Sequence, residues 1–292
     1  MTQPANSQLF LRACNVTIGP PGGVGTLLSG YDVSFDIKKS VKKEPNSCHL
    51  KVWDLSTTTR MQVESSPVPN SSSVPVACII SAGYVGAMST IFSGQLRSAQ
   101  TVQDAENQIT EITSGDGDQA IGQSRLTVAF TQGSTATQNL NKILLALGVG
   151  QGNLPTAQTL VGANPAIAQM FSLGGVFKGS ASDIMDDFCR SSGMEWSVQD
   201  GALQILPLGG ALPGNAIFID SSHGMEESPT VDTKGILAVT TRLIPGIKPG
   251  CLIVVSGKYQ SGAYRVRSCN YVGSTREKEW SIKIEADLYS PK

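Results

Sequence analysis

Tyr31-Asp32-Val33-Ser34-Phe35-Asp36-Ile37-Lys38 alternates apolar with polar residues without a break. A period of two places Tyr31, Val33, Phe35 and Ile37 on one face of a strand and the polar residues on the other, so one face is buried and one is wet. Ser47-Cys48-His49-Leu50-Lys51-Val52-Trp53 alternates in the same way. Outward from this pair the first third continues as strands. Residues 9–18 form a candidate first strand, closed by Gly19-Pro20-Pro21-Gly22-Gly23. Ser56 and Thr57 offer N-caps for one short helical turn. Residues 74–81 and 90–97 read as strands joined by the loop Ala82-Gly83-Tyr84-Val85-Gly86. Residues 109–114 read as another, ended by Gly115-Asp116-Gly117.

The middle changes character. Residues 125–130 suit a strand, and residues 135–147 put Leu140, Ile143, Leu144 and Leu147 on one helical face with Gly148 as the stop. Ser180 or Ser182 can cap a second helix with the apolar stripe Ile184, Met185, Phe188 and Cys189, ended by Gly193. Glu195-Trp196-Ser197-Val198 and Ala202-Leu203-Gln204-Ile205 flank Asp200-Gly201, a strong hairpin signal. Strands then return at residues 235–243, 251–255, 262–267, 269–272 and 280–288. In the last, Ile282, Ile284 and Ala286 alternate with Lys283, Glu285 and Asp287. The plan is β, then α+β, then β. Both outer thirds are runs of short strands, and they are expected to share a fold.

Composition bounds the function. At about 150 residues per domain, 292 residues suggest two domains. Charged residues make up 15% of the chain, against about 25% in an average protein. This suits β-rich proteins with many turns and surfaces covered by neighbours. The 22 basic and 23 acidic residues leave a net charge of −1. Binding nucleic acid without sequence preference needs a surplus of Lys and Arg to release counterions, so the charge balance argues against a dedicated DNA binder. The basic run Lys38, Lys39, Lys42 and Lys43 contains no aromatic to stack a base and reads as a solvated loop. Cys14, Cys48, Cys78, Cys189, Cys251 and Cys269 lack the close spacing of a zinc knuckle or redox motif. The start of the chain lacks a basic segment followed by a long apolar one, so no signal peptide is expected and synthesis in a reducing cytoplasm is the default. The uncharged stretches 65–96 and 143–177 are broken by Pro67, Pro69 and Pro75 and by Gln151, Asn153, Pro155 and Asn164, which argues against a membrane span.

Catalytic motifs are missing. Gly115-Asp116-Gly117-Asp118-Gln119-Ala120 matches a loose dinucleotide pattern, but two carboxylates would face the pyrophosphate and the next long element is a strand. It also lacks the distal Glu of a calcium loop and reads as a turn. Residues 19–26 lack the Gly-Lys-Ser/Thr of a phosphate loop, since Val24-Gly25-Thr26 stands there. His49 and His223 lie far apart, one in a strand and one in a loop before Gly224, with no second ligand at helical spacing. There is no G-x-S-x-G elbow. Asp183, Asp186 and Asp187 sit in the first two turns of the second helix, where the macrodipole favours acids. No acid pair suited to glycoside hydrolysis is identified. The sequence therefore assigns no catalytic, cofactor-binding or metal-binding residue, no cofactor and no enzyme activity.

The order of the pieces resembles the baseplate hub proteins of tailed bacteriophages, the late-control-protein-D-like group that includes the Mu-type tail hubs. The resemblance covers nearly the whole chain. It is carried by Leu28-Ser29-Gly30-Tyr31-Asp32-Val33-Ser34-Phe35-Asp36-Ile37, by residues 45–56 with their Pro45-Asn46 turn, by Ala82-Gly83-Tyr84 and by Ile91-Phe92-Ser93-Gly94-Gln95-Leu96. The hairpin of residues 193–205, residues 243–250, Gly262-Ala263-Tyr264-Arg265-Val266 and Trp280 match later pieces. Tyr271-Val272-Gly273-Ser274-Thr275 departs from relatives that carry a His and a Gly-Asp pair there.

The resemblance implies a mainly β fold with an α+β insert: two tube-protein-like β-barrel domains, residues 1–118 and 207–292, flanking a two-helix module at 119–206. It implies a structural hub, a homotrimeric symmetry adaptor that joins a six-fold tail tube to a three-fold spike and lines the DNA ejection channel. Implied partners are the tail tube or a tube-initiator protein, the spike, the tape measure protein and baseplate wedge proteins. DNA would pass without specific binding. The place would be the virion tail, after assembly in the host cytoplasm. The alternatives are a tail-tip cell-wall hydrolase, which the missing acid pair opposes, and a receptor-binding tail protein, which would expose aromatics that these strand-like runs can bury.

Overall fold

In the computed structural model, which describes residues 11–20, 25–65, 75–154 and 175–290, Val33, Phe35 and Ile37 are at most 2% exposed. They lie on β3 (Val33–Ser40), which pairs antiparallel with β4 (Asn46–Trp53), as the alternation predicts. The other strands of the first third are β1 (Arg12–Gly19), β2 (Thr26–Ser29), β5 (Ala77–Tyr84), β6 (Ala87–Asp104) and β7 (Asn107–Asp116), with α1 (Thr57–Glu64) after β4. Ser56 caps α1, its hydroxyl accepting from the Thr59 N–H at 3.2 Å. The last third holds β12 (Ile217–Ile219), β13 (Thr230–Val231), β14 (Ile236–Arg242), β15 (Leu252–Ser256), β16 (Ser261–Ser274) and β17 (Trp280–Leu288). The middle holds β8 (Arg125–Phe130), α2 (Ala136–Leu147), β9 (Gly175–Ser180), α3 (Ala181–Ser191), β10 (Met194–Gln199) and β11 (Ala202–Pro207). The fold is mainly β with a small helical insert.

Packing divides the chain into two units. The first takes the chain up to Lys39, Asn46–Asp116 and everything from Leu212 on; the second takes Ser40–Pro45 and Gly117–Ala211. In the first unit one 13-stranded sheet runs β13-β14-β17-β16-β3-β4-β7-β6-β5-β1-β2, with β15 on β16 and β12 on β15. The outer thirds therefore join at β16 and β3, and their apolar faces form one core, from Val16 and Phe35 to Val239 and Ile284.

Within that sheet the same strand order occurs twice. From β3 it runs β3-β4-β7-β6-β5-β1, and from β13 it runs β13-β14-β17-β16-β15-β12. The ladders match residue by residue. Ser98, Thr113, His49 and Asp36 form one row across β6, β7, β4 and β3. Ser268, Glu285, Ala238 and Thr230 form the corresponding row across β16, β17, β14 and β13. Both long strands bulge one residue before that serine, at Leu96-Arg97-Ser98 and Val266-Arg267-Ser268. In both, the serine hydroxyl meets its cross-strand neighbour: Ser98 Oγ lies 2.6 Å from Thr113 Oγ1, and Ser268 donates to Glu285 Oε2 at 2.7 Å. The Leu96 N–H donates to Val76 O at 2.8 Å, and the Val266 N–H to Cys251 O at 2.9 Å. One difference stands: β1 is antiparallel to β5, whereas β12 is parallel to β15.

Several expectations need correction. Residues 262–267 and 269–272 are one strand, continuous through the bulge, not two. The strand expected at 90–97 is 18 residues long. Ala82, Gly83 and Tyr84 belong to β5 rather than to a loop. Short strands β2, β9, β12 and β13 were not foreseen. The basic run is not a solvated loop throughout: Lys39 is 3% exposed, and Lys43 lies 2.7 Å from Asp183. Much of the Gly19–Gly23 turn, and parts of both uncharged stretches, lie outside the described residues. Among the described residues no helix is long and apolar enough to cross a membrane.

The second unit has its own core, with α2 and α3 contributing Leu140, Ile143, Met185 and Phe188. Thr135 and Gln138 form a reciprocal capping box at the start of α2, and Gly148 ends it at φ +67°. Asp200 and Gly201, at φ +56° and +77°, make the hairpin turn between β10 and β11. Gly201→Val is expected to cost about 1 kcal/mol or more, because a β-branched residue resists left-handed backbone. A Cβ there meets nothing within 4 Å, so the cost is conformational and not steric. Thermal melting checks it, and an unchanged midpoint would contradict the turn assignment.

Candidate functional site

The polar cluster that most resembles catalytic machinery is Asp220, Ser222 and His223. Ser222 Oγ and Asp220 Oδ1 lie 2.9 and 2.8 Å from His223, but both from the same nitrogen, Nδ1. A relay needs the nucleophile on one ring nitrogen and the carboxylate on the other. Asp220 Oδ1 also accepts from the Ser222 hydroxyl and from the backbone N–H groups of Ser222 and His223, at 2.7–2.9 Å. The Ser222 hydroxyl, then His223 and the Ser222 N–H, hold the Asp220 carboxyl down at about 2. The cluster is a self-satisfied turn.

The three acids of α3 are likewise accounted for, Asp187 by an ion pair with Arg190 at 3.6 Å. Asp186 accepts from Trp196 Nε1 at 2.8 Å and, through its other oxygen, from Lys43 at 3.3 Å. Asp183 accepts from Lys43 at 2.7 Å, and the ammonium keeps its carboxyl below the usual range. Gln199 Nε2 donates to Ser40 O at 2.7 Å. These bonds fasten residues 40–45 into the second unit. Asp116 is 2% exposed and accepts from Asn46 Nδ2 at 3.0 Å, so it ends β7 as a buried structural group. His49 is an exposed residue of β4.

The cysteines are free thiols. Burial pushes Cys14 and Cys189 up to about 12 and Cys78 to about 11, which makes them poor nucleophiles. Among the described residues no His, Cys, Asp and Glu group could hold a metal ion.

What the first unit offers instead is strand edge. β6 pairs with β5 only as far as Gln95 and continues along β7 to Asp104. Among the described residues no strand pairs the outer edge of residues 98–104. Among the described residues β13 pairs only with β14, leaving its outer edge open as well. Val102, on the first edge, is 46% exposed, and Val231, on the second, is 38% exposed. Open edges of this kind are templates for pairing with another chain.

The corresponding edges inside the chain are closed, at β16 and β3. The Thr275 N–H donates to Val33 O at 2.9 Å, and the Val33 N–H to Thr275 Oγ1 at 2.8 Å. Arg276 Nε donates to Asp32 at 2.6 Å, and its guanidinium stacks 5.3 Å from the Trp53 ring. Arg12 reaches over from β1 and donates to the carbonyls of Ser274, Glu277 and Lys278 at 3.0, 2.6 and 2.5 Å. The same guanidinium lies 5.6 Å from the Trp280 ring. Two arginines, which the sequence did not mark as important, thus clamp the β16–β17 turn to the first third.

No family profile matches the sequence, and no curated protein is similar to it in sequence. Solved structures are similar in fold. A tail protein from Neisseria meningitidis MC58 superposes with a TM-score of 0.60 at 13% identity, over 96% of this chain and 97% of that one. The 43 kDa tail protein of prophage MuSo2 from Shewanella oneidensis gives 0.60 at 10% identity, over 95% and 98%. The E. coli c3393 protein, a type VI secretion component described as structurally similar to T4 tail proteins, gives 0.54 at 12% identity, over 94% and 77%. At such identities the likeness is one of fold: the chain has the fold of phage tail proteins.

Proposed function

We propose that this chain is the structural hub of a phage tail baseplate. Three copies form a symmetry adaptor between a six-fold tail tube and a three-fold spike, and they line the channel through which DNA leaves. The observation that carries this reading is the doubled strand order, β3-β4-β7-β6-β5-β1 and β13-β14-β17-β16-β15-β12. Two similar β modules per chain, repeated in a trimer, present six similar modules around one axis. Such a ring matches a six-fold tube on one side and keeps three-fold symmetry for a spike on the other. The role is mechanical and not enzymatic. Its partners are a second and third copy, the tube or a tube-initiator protein, the spike, the tape measure and baseplate wedge proteins. Its place is the virion tail, after assembly in the host cytoplasm. The domain division that goes with it is 1–118, 119–206 and 207–292, with no catalytic, metal or cofactor residue.

The mass of the purified protein in solution tests this reading. A stable trimer is expected, and a monomer that clears peptidoglycan would overturn it. A conduit must also release its cargo, since every phosphate contact has to break as the genome moves. With 22 basic and 23 acidic residues, no measurable affinity for duplex DNA is expected at ~150 mM salt, where surface charges are screened beyond about 8 Å. Anisotropy titration checks it, and sub-micromolar binding would contradict the passive channel.

A further inference from the structure

We infer that copies of this chain join by adding β13 of one copy to the open outer edge of β6 in the next, with Thr230 beside Val102. The inference rests on the trimeric hub reading and names the contact that would build it. The sheet already contains one such junction, because β16 of the last third pairs with β3 of the first. In the doubled strand order β16 corresponds to β6, and β3 corresponds to β13. The in-chain junction therefore uses one module's long strand and the other module's first strand. The outer edges of β6 and β13, open among the described residues, belong to the same two elements in the complementary roles. Repeating the junction between copies closes both.

The register follows from the matched rows. Val33 meets Thr275, and Gly273 lies against the Phe35 ring. Positions thus advance in opposite directions along the two strands, which makes β3 antiparallel to β16 and sets Asp36 beside Val272. Asp36 and Thr230 occupy the same place in their rows, as do Ser268 and Ser98. Val272 lies as far beyond Ser268 as Val102 lies beyond Ser98. Thr230 of one copy consequently falls beside Val102 of the next. Pro229 has no N–H and limits how far the ladder extends in that direction. The contact is heterologous, one edge against a different edge, so it propagates around a ring and closes where the rotation allows.

Cysteine pairs in the full chain test the register. Val102→Cys with Thr230→Cys should give a covalent trimer on mild oxidation, seen on a non-reducing gel, while each single variant stays unlinked. Val102→Cys with Leu288→Cys, a site 67% exposed at the end of β17, serves as the control. A trimer by mass that fails to cross-link, or that links equally in the control, overturns this junction and leaves the hub reading standing. A monomer by mass overturns both. As a second measurement, Val102→Lys with Thr230→Lys should weaken association at least tenfold, and Val102→Lys with Thr230→Glu should restore it. Equal association of the two charge variants would also overturn the junction. Both positions are exposed, and circular dichroism confirms that each variant is folded.

Discussion

Trp280→Ala is expected to destabilise the first unit by about 3–5 kcal/mol, the range for emptying a large aromatic site in a core. Trp280 is 3% exposed and packs edge-on against Phe35, with ring centroids 5.4 Å apart. Its cross-strand neighbour is Gly273, which has no side chain to fill the space. The Phe35 ring already lies where a Cβ on Gly273 would sit. Backbone therefore lines the void on one side and an aromatic ring on the other, so the site collapses poorly and the cavity cost is retained. The Arg12 guanidinium also loses the ring that it lies over, although its bonds to the carbonyls of the β16–β17 turn remain. Urea unfolding followed by circular dichroism measures the change, and Trp280→Phe should recover about half of it, in keeping with the area restored. A loss below about 1 kcal/mol would show that the two thirds of the sheet do not depend on this contact.

Gly152→Ala should cost the second unit about 3 kcal/mol, from left-handed backbone together with a backbone clash. Gly152 has φ +52°, and a Cβ there would overlap the carbonyl oxygen of Leu203. Neither backbone can retreat easily, because residues 150–153 are laced to the β10–β11 hairpin. The Gly150 N–H donates to Gly201 O at 2.8 Å, and the Leu203 N–H donates to Gly150 O at 2.9 Å. Asn153 Nδ2 donates to Ile205 O at 2.6 Å, and its Oδ1 accepts from the Ile205 N–H at 2.8 Å. Gly148→Ala is the control: φ is +67° but nothing lies within 4 Å of the added Cβ, so only the about 1–2 kcal/mol of left-handed backbone applies. Equal losses in the two variants would show that the overlap with Leu203 relaxes freely.

The resemblance of the sequence to phage tail hubs and the likeness of the structure to phage tail proteins agree on the fold. They do so from different observations, one from the order of short motifs and the other from superposition at 13% identity or less. Neither assigns a chemical site, and the polar clusters that might have suggested one prove to be a turn and a fastening of residues 40–45. The candidate site is instead a pair of strand edges, and edges carry no residue signature. β6 could be seen from composition only as far as Arg97, and β13 not at all.

The sequence by itself determined what local physics decides. Alternation at residues 31–38, 47–53 and 280–288 placed three strands, and β17 falls at the limits the pattern sets. Ser56, Thr135 and Gly148 marked helix ends through their own hydrogen bonds and backbone angles, and Asp200-Gly201 marked its turn. Tertiary structure decided the rest. A bulge adds one residue and reverses the in–out alternation beyond it, so β16 read as two strands although its ladder is continuous past Arg267. β2, β12 and β13 have only two to four residues each and exist because a neighbouring strand takes up their backbone groups. Lys39 and Lys43 look like solvated charges until the elements around them are in place. The doubled strand order lies in pairing between residues far apart in sequence, and the motif that marks it, Leu96-Arg97-Ser98 against Val266-Arg267-Ser268, is too short to register without the two ladders. Burial and hydrogen bonding constrain which face a side chain occupies far more tightly than which residue occupies it, so the two modules could keep one topology while their sequences diverged.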